Sequence, residues 1–101
     1  MTTIKSQRHQ MSFLKAIDEF KKLPYIKEVY LFGNCVTGTP KYDSDVDFFV
    51  RVDDSTSPTT MRKLKSDLYM QPELDIKFFR VSSSPPESFT SMLAKEGVRV
   101  L

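Results

Sequence analysis

The sequence predicts an α/β (α+β) fold, in which helices pack on one small mixed β-sheet. Segments whose apolar residues alternate, as in strands, are interspersed with segments whose apolar residues recur at helical spacing. The chain has 101 residues, 40% of them hydrophobic and 28% charged, which is the composition of one soluble globular domain covering residues 1–101. Its single cysteine excludes a disulfide within the chain and suits a reducing compartment, so we expect a cytoplasmic protein.

Two segments in the first two thirds of the chain carry helix signals. Residues 7–23 repeat apolar residues at helical spacing, and Pro24 ends the pattern. Ser57 followed by Pro58 is a cap and first position for a second helix, which should end near Met70. The residues between these two helices are left for the first strands of the sheet.

The end of the chain has the signals of one more helix. Ser84-Pro85-Pro86-Glu87 has the spacing of a capping box with proline at the first helical position, and Gly97 closes the helix. The apolar residues 98–101 then predict a fourth, edge strand or a docked tail.

Three segments, residues 26–32, 45–52 and 74–81, are rich in β-branched and aromatic residues and predict strands. In the second strand, valine and phenylalanine alternate with Asp45 and Asp47, so these two aspartates share a face. Their Cα atoms would lie roughly 6.5 to 7 Å apart, within reach of one divalent ion.

A third carboxylate completes a predicted metal site. Asp75 occupies the like-facing position of the third strand, and adjacent strands lie only about 4.8 Å apart. If these strands pair, Asp45, Asp47 and Asp75 converge, and their oxygens suit Mg²⁺ or Mn²⁺ with room left for substrate phosphates. The alternative is a solvated strand face whose charges prevent edge-to-edge aggregation.

A glycine turn between the first two strands predicts a phosphate site. Gly33 ends the first strand, and a short helical turn follows it up to Gly38. Glycine lets the backbone approach a ligand closely, and the leading N–H groups of a helical turn attract anions. Taken alone, both glycines also suit ordinary turns. The aspartates that follow after a short spacer favour a site for a nucleoside triphosphate.

These residues resemble the motif of the minimal nucleotidyltransferases of the DNA polymerase β-like superfamily. The family pattern is G-S-x-A-R-G, five residues, S-D-x-D, and a later aspartate on a strand. It is matched here by Gly33, Gly38, Ser44, Asp45, Asp47 and Asp75. The resemblance extends over essentially the whole chain and implies the polymerase β-like nucleotidyltransferase fold.

The resemblance also implies an activity, the transfer of NMP from an NTP, with AMP from ATP as the expected case, to a hydroxyl group. Asp45, Asp47 and Asp75 would ligate Mg²⁺ or Mn²⁺, and Asp75 would also act as the base. The nucleotide-binding residues would be Gly33, Asn34, Thr37, Ser44 and Lys77.

Two residues depart from the family pattern. Asn34 replaces a serine and Thr37 replaces an arginine, so the phosphate site is bulkier and has lost a positive charge. Lys41 or Lys77 could supply that charge, although Lys77 could instead pair with Asp75 on the same face. We therefore expect weakened nucleotide binding.

Family members of this length resemble antitoxins whose partner is a small helical toxin of the HEPN type, and some transfer AMP onto that partner. The resemblance therefore implies an antitoxin that modifies a HEPN-type partner. The two departures keep open an alternative, a weakened or inactive antitoxin that neutralises its partner by binding. Whether the chain forms a homo-oligomer is left open.

Several function classes are disfavoured. No apolar stretch approaches the ~20 residues that cross a bilayer, and residues 1–10 lack the apolar core of a signal peptide. A net charge of +2 is too small to indicate a nucleic-acid partner. Cys35 is expected to be a small buried residue without chemistry, and His9 to lie in a frayed end without a role.

Overall fold

The structure, a computed structural model, describes residues 4–68 and 74–101 and shows four helices and one four-stranded sheet in these ranges. The elements are α1 (Gln7–Lys21), β1 (Ile26–Phe32), α2 (Asn34–Thr37), β2 (Val46–Val52), α3 (Pro58–Asp67), β3 (Leu74–Arg80), α4 (Glu87–Glu96) and β4 (Val98–Arg99). The strand order is β3-β2-β1-β4. β1 runs antiparallel to β2 and to β4, whereas β2 and β3 are parallel. The predicted mixed α/β fold is confirmed.

One face of the sheet carries the main core. The rings of Phe13 and Phe20 on α1 pack against Phe48 of β2, with centroids 6.0 and 5.3 Å away. Leu64 of α3 joins the same cluster of buried residues. The residues of β2 on this face are fully buried, as their alternation predicted: Val46, Phe48, Val50 and Val52.

The opposite face of the sheet is covered by α4 through an aromatic cluster. The Phe89 ring lies 5.5 Å from Phe32, 5.3 Å from Phe49 and 5.9 Å from Phe79, measured between centroids. Phe49 is buried as a result, although it shares its strand face with Asp47. Asp47 and its strand partner Asp75 lie on this face where the parallel strands β2 and β3 begin.

Some element boundaries differ from the predicted ones. α1 ends at Lys21, two residues earlier than predicted, because the residue before Pro24 is disfavoured in the helical conformation and the chain leaves the helix ahead of it. α3 ends at Asp67, and the predicted end near Met70 lies outside the described residues.

The predicted start of the last helix is wrong. α4 begins at Glu87, its N-cap is Pro86, and no side chain caps it. Pro86 disfavours the helical conformation for Pro85, so neither Pro85 nor a capping Ser84 can belong to the first turn. The capping box that the spacing indicated does not form.

The end of the chain is both an edge strand and a docked tail. β4 pairs with Tyr30 and Leu31 of β1, and the N–H groups of Val100 and Leu101 both donate to the carbonyl of Val29. Within the described ranges, no helix has the length and apolar character needed to cross a bilayer.

Candidate functional site

Asp47 and Asp75 are direct neighbours across two parallel strands. The register of β2 and β3 pairs Asp47 with Asp75, as expected if these strands were adjacent. The charge of Asp75 acts directly on the Asp47 carboxylate. The fold therefore brings two carboxylates, 28 positions apart in the sequence, to one point at the end of the sheet.

The electrostatics of Asp47 are those of a crowded carboxylate. Burial raises the pKa of Asp47 to about 6, and the charges of Asp75 and Asp45 add to the rise, whereas Lys77 opposes it. Repulsion between carboxylates is relieved by a proton or by a cation, so this cluster has the charge of a cation site.

Gly33 lies directly against the Asp47 carboxylate. A Cβ atom on Gly33 would collide with Oδ2 of Asp47, and the backbone has φ of 79° and ψ of −156°, a region occupied almost only by glycine. The turn after β1 and the acidic cluster therefore form one surface. This contact explains why Gly33 precedes the helical turn.

The phosphate-site residues flank this glycine on α2. The helix begins at Asn34 and ends at Thr37, and both side chains are exposed. The Thr37 hydroxyl donates to the carbonyl of Gly33 over 3.2 Å, so it braces the turn. At Gly38 the backbone is extended and nothing lies where a Cβ would be, so no local constraint requires glycine there.

The loop before β2 carries Ser44 and Asp45. The Ser44 hydroxyl accepts the N–H of Lys41 at 3.0 Å, and the Cys35 thiol lies 3.6 Å from the Asp45 carbonyl oxygen, to which it donates. Asp45 itself is exposed, one residue before β2 begins. Cys35 is buried, as predicted, and burial followed by the charge of Asp47 raises its pKa to about 11, so at neutral pH it is a thiol.

Lys77 pairs with one member of the acidic pair. Its Nζ lies 3.2 Å from one oxygen of Asp75 and 3.4 Å from the other, and both side chains are close to half exposed. Of the two roles left open for Lys77, the structure shows the ion pair.

The carboxylate oxygens of the site, beside the Gly33 turn, are the ligands that a hard divalent cation such as Mg²⁺ prefers. Asp47 and Asp75 are placed to bind together, and Asp45 is near enough for its charge to act on Asp47. Among the residues that the structure describes, however, no three His, Cys, Asp or Glu side chains already form a ligand cluster. The assignment of all three aspartates as ligands stays a prediction.

The sequence interpretation missed two residues behind the site. His9, expected in a frayed end, is 1% exposed and bonds to the carbonyl of Ser44, and Arg8 bonds to the carbonyl of Tyr42. A signal was present in the sequence, since Ser6 lies three residues before His9, the spacing of an N-cap, and it caps α1 in the structure.

Comparison with protein families gives a match in sequence. The model of the family described as polymerase beta, nucleotidyltransferase matches residues 15–101, a range that contains Gly33, Asp45, Asp47 and Asp75. A comparison with proteins of curated function gives no significant match.

Several solved structures similar to this chain are toxin–antitoxin complexes. A toxin–antitoxin complex with AMP-PNP has 20% identity and a TM-score of 0.60, over 88% of this chain and 69% of that chain. A Shewanella oneidensis complex of a tri-AMPylated HEPN toxin with an MNT antitoxin has 19% identity and a TM-score of 0.57, over 90% and 70%. A mutant of an MntA complex has 18% identity and a TM-score of 0.59, over 88% and 69%. At these identities the likeness shows the fold.

Proposed function

Because this chain belongs to the polymerase beta nucleotidyltransferase family, we propose that it transfers AMP from ATP to a hydroxyl group of a partner protein. The observation that carries the proposal is the contact of Asp47 with two features at once. Its carboxylate faces Asp75 across the sheet and lies against the Gly33 turn. A cation site and a phosphate site would thereby adjoin, which is the combination that nucleotidyl transfer needs.

Asp47 and Asp75, with Asp45, are the residues that would hold Mg²⁺ or Mn²⁺. Such an ion, when bound, neutralises charge on the triphosphate and favours an in-line displacement. The turn at Gly33 and the leading N–H groups of α2 would contact phosphate oxygens, since the first N–H groups of a helix lack intrahelical acceptors. Asn34 would donate a further hydrogen bond from its amide, and Ser44 and Thr37 would line the same site.

The proposed reaction forms one bond and breaks one at the α-phosphorus, and it moves one proton. The acceptor oxygen attacks the α-phosphorus of ATP, the bond from that phosphorus to the bridging oxygen breaks, and pyrophosphate leaves. The hydroxyl proton passes to the carboxylate of Asp75, which is close to half exposed. Lys77, now paired with Asp75, would turn to the phosphates when the nucleotide binds.

The class of partner is inferred from the structural neighbours. One neighbour is an MNT antitoxin in complex with a HEPN toxin that carries AMP groups, and another complex contains AMP-PNP. A third carries Asp-to-Glu substitutions at two positions two residues apart, the spacing of Asp45 and Asp47. These neighbours support an antitoxin that modifies a HEPN-type protein.

The test is transfer of radiolabelled AMP to a HEPN-type protein that co-purifies with this chain. We expect label on the partner with the unmodified chain and Mg²⁺, and at least a 100-fold loss with Asp47→Ala, as is typical when a group that acts in the transition state is removed. Asp43→Ala is the matched control, because it removes an exposed carboxylate of the same acidic segment. Equal labelling by the Asp47→Ala and Asp43→Ala chains would refute the proposal.

A second candidate function is neutralisation of the partner by binding alone. It is favoured by the pairing of Lys77 with Asp75 and by Thr37, which bonds to the Gly33 carbonyl where the family pattern has an arginine. Both reduce the positive charge available to phosphates in this conformation. Under this alternative, a chain carrying both Asp45→Ala and Asp47→Ala still restores growth to cells that produce the toxin. Loss of rescue by a double variant that still folds and binds the toxin would exclude it.

A further inference from the structure

Two neighbouring residues at the start of α1 hold the loop that leads into β2. His9 is almost fully buried, and its Nε2 lies 2.8 Å from the carbonyl oxygen of Ser44. Arg8 donates to the carbonyl of Tyr42 over 2.8 Å, and its guanidinium carbon lies 4.1 Å from the Tyr42 ring centroid. Both carbonyls belong to the three residues directly before Asp45. The path of the chain into the acidic cluster is therefore set from α1.

The hydrogen bonds of His9 define its tautomer. A carbonyl oxygen only accepts, so Nε2 carries a proton and donates it to Ser44. Nδ1 lies 2.7 Å from the Ser6 hydroxyl oxygen and forms a hydrogen bond with it. The same Ser6 oxygen accepts the backbone N–H of His9 as the N-cap of α1. Both ring nitrogens are satisfied, and the imidazole connects the helix cap to the loop.

We propose that His9 is a positioning residue for this site, and that its bond to the Ser44 carbonyl determines where Asp45 presents its carboxylate to a divalent cation. The inference rests on the proposed function. Asp45 is exposed, so its backbone, more than side-chain packing, decides where the carboxylate lies. That backbone is held on both sides, by His9 at the preceding carbonyl and by Cys35 at its own.

His9 contributes hydrogen bonds to the loop and not only volume to the core. Burial of an imidazole costs free energy unless its nitrogens are hydrogen-bonded, and an apolar residue would fill the same volume without that cost. Displacement of a reacting or ligating group by ~1 Å can reduce rates about 100-fold. A residue that fixes the loop without touching the ligand can thus control the affinity of the site.

The test compares His9→Leu with His9→Gln. The glutamine amide nitrogen can reach the position of Nε2 and keep the donor, whereas leucine fills space without one. The measurements are the affinity for Mn²⁺ in the presence of AMP-PNP and the amide hydrogen exchange of residues 41–45. We expect His9→Leu to weaken Mn²⁺ binding about 10-fold, the effect of one lost hydrogen bond, and to speed exchange in the loop, and His9→Gln to restore most of both.

A matched control and a wild-type measurement separate positioning from packing. Ile17→Val also loosens the buried face of α1 but touches neither loop carbonyl, so it should lower the melting temperature without changing Mn²⁺ affinity. If His9→Leu behaves like Ile17→Val, the proposal is wrong. Should His9→Leu fail to fold, ¹⁵N spectra of the unmodified chain decide, because a proton on Nδ1 in place of Nε2 contradicts the inferred bond.

Failure of the proposed function gives a different result. In that case the unmodified chain does not bind Mn²⁺ with AMP-PNP at all, and the positioning role for a cation site is overturned with it. The exchange comparison would then show only whether His9 holds the loop.

Discussion

At the scale of single residues, Gly33 links the two halves of the site. It has a backbone conformation that other residues avoid, and a Cβ atom at this position would collide with the carboxylate of Asp47. The requirement for glycine is thus both conformational and steric. Gly38 meets neither condition, although both glycines match the same family pattern.

Gly33→Ala should therefore destabilise the fold and Gly38→Ala should not. We expect Gly33→Ala to cost about 1–3 kcal/mol from the backbone conformation alone, with the displacement of Asp47 adding to it. Gly38→Ala should be neutral or stabilising by up to about 1 kcal/mol, since alanine restricts the unfolded chain. Urea unfolding of the three proteins measures both. Equal stabilities of the two variants would contradict the role assigned to Gly33.

The raised pKa of Asp47 makes the stability of the folded chain depend on pH. The pKa is about 6 in the folded chain against an ordinary value of 3.8, so the folded state binds the proton more tightly than the unfolded state. The favourable contribution of protonated Asp47 is complete below about pH 4 and is lost as the pH rises through about 6. The ionised side chain is the destabilising form.

Asp47→Asn should accordingly stabilise the metal-free protein at pH 7 to 8, with the gain disappearing towards pH 4. Thermal unfolding of both proteins from pH 4 to pH 8 measures the difference. Asp43→Asn serves as the control, because Asp43 is exposed. A pH-independent difference between the unmodified chain and Asp47→Asn would show that the pKa of Asp47 is not raised in the folded chain.

At the scale of elements, two serines with the same capping signal behave differently. One caps its helix as predicted, and the other is prevented from doing so by its neighbours. Ser57 caps α3 as predicted, and its hydroxyl accepts the N–H of Thr60 at 3.1 Å. Ser84 has the same apparent role ahead of α4 and does not play it, because the Pro85-Pro86 pair delays the helix to Glu87. One serine is thus a cap and the other an exposed loop residue.

This difference predicts unequal effects of the same substitution. Ser57→Ala should cost about 1 kcal/mol, the usual value of an N-cap, whereas Ser84→Ala should change stability by less than about 0.5 kcal/mol. Denaturant unfolding of the two variants side by side checks the prediction. A larger loss for Ser84→Ala would mean that Ser84 stabilises α4 after all.

At the scale of the whole molecule, the site joins β1, α2, β2 and β3, so a ligand bound there should stabilise the entire fold. Mn²⁺ with AMP-PNP at about 100 times its dissociation constant should add about 2.7 kcal/mol to the free energy of unfolding. Thermal melts with and without both ligands measure the gain, which should be lost in Asp47→Asn and kept in Asp43→Asn. A gain of the same size in Asp47→Asn would place the ligand elsewhere.

The sequence by itself determined the elements and the residue types of the site. Alternation and helical spacing depend on which residues face the core, and these patterns are local, so β1 and the buried face of β2 were predicted correctly. The glycine turn and the paired aspartates were also predicted from local sequence patterns. The family that these residues resemble is confirmed by the match over residues 15–101.

Only the tertiary structure decided which of these residues meet. The pairing of Asp47 with Asp75 depends on a parallel register between strands separated by α3, and no local pattern specifies that register. The burial of His9 depends on the loop from Tyr42 to Ser44 folding back onto α1. Contacts between distant segments are selected by the packing of the whole chain, because each is made only when the remaining elements hold both partners in place.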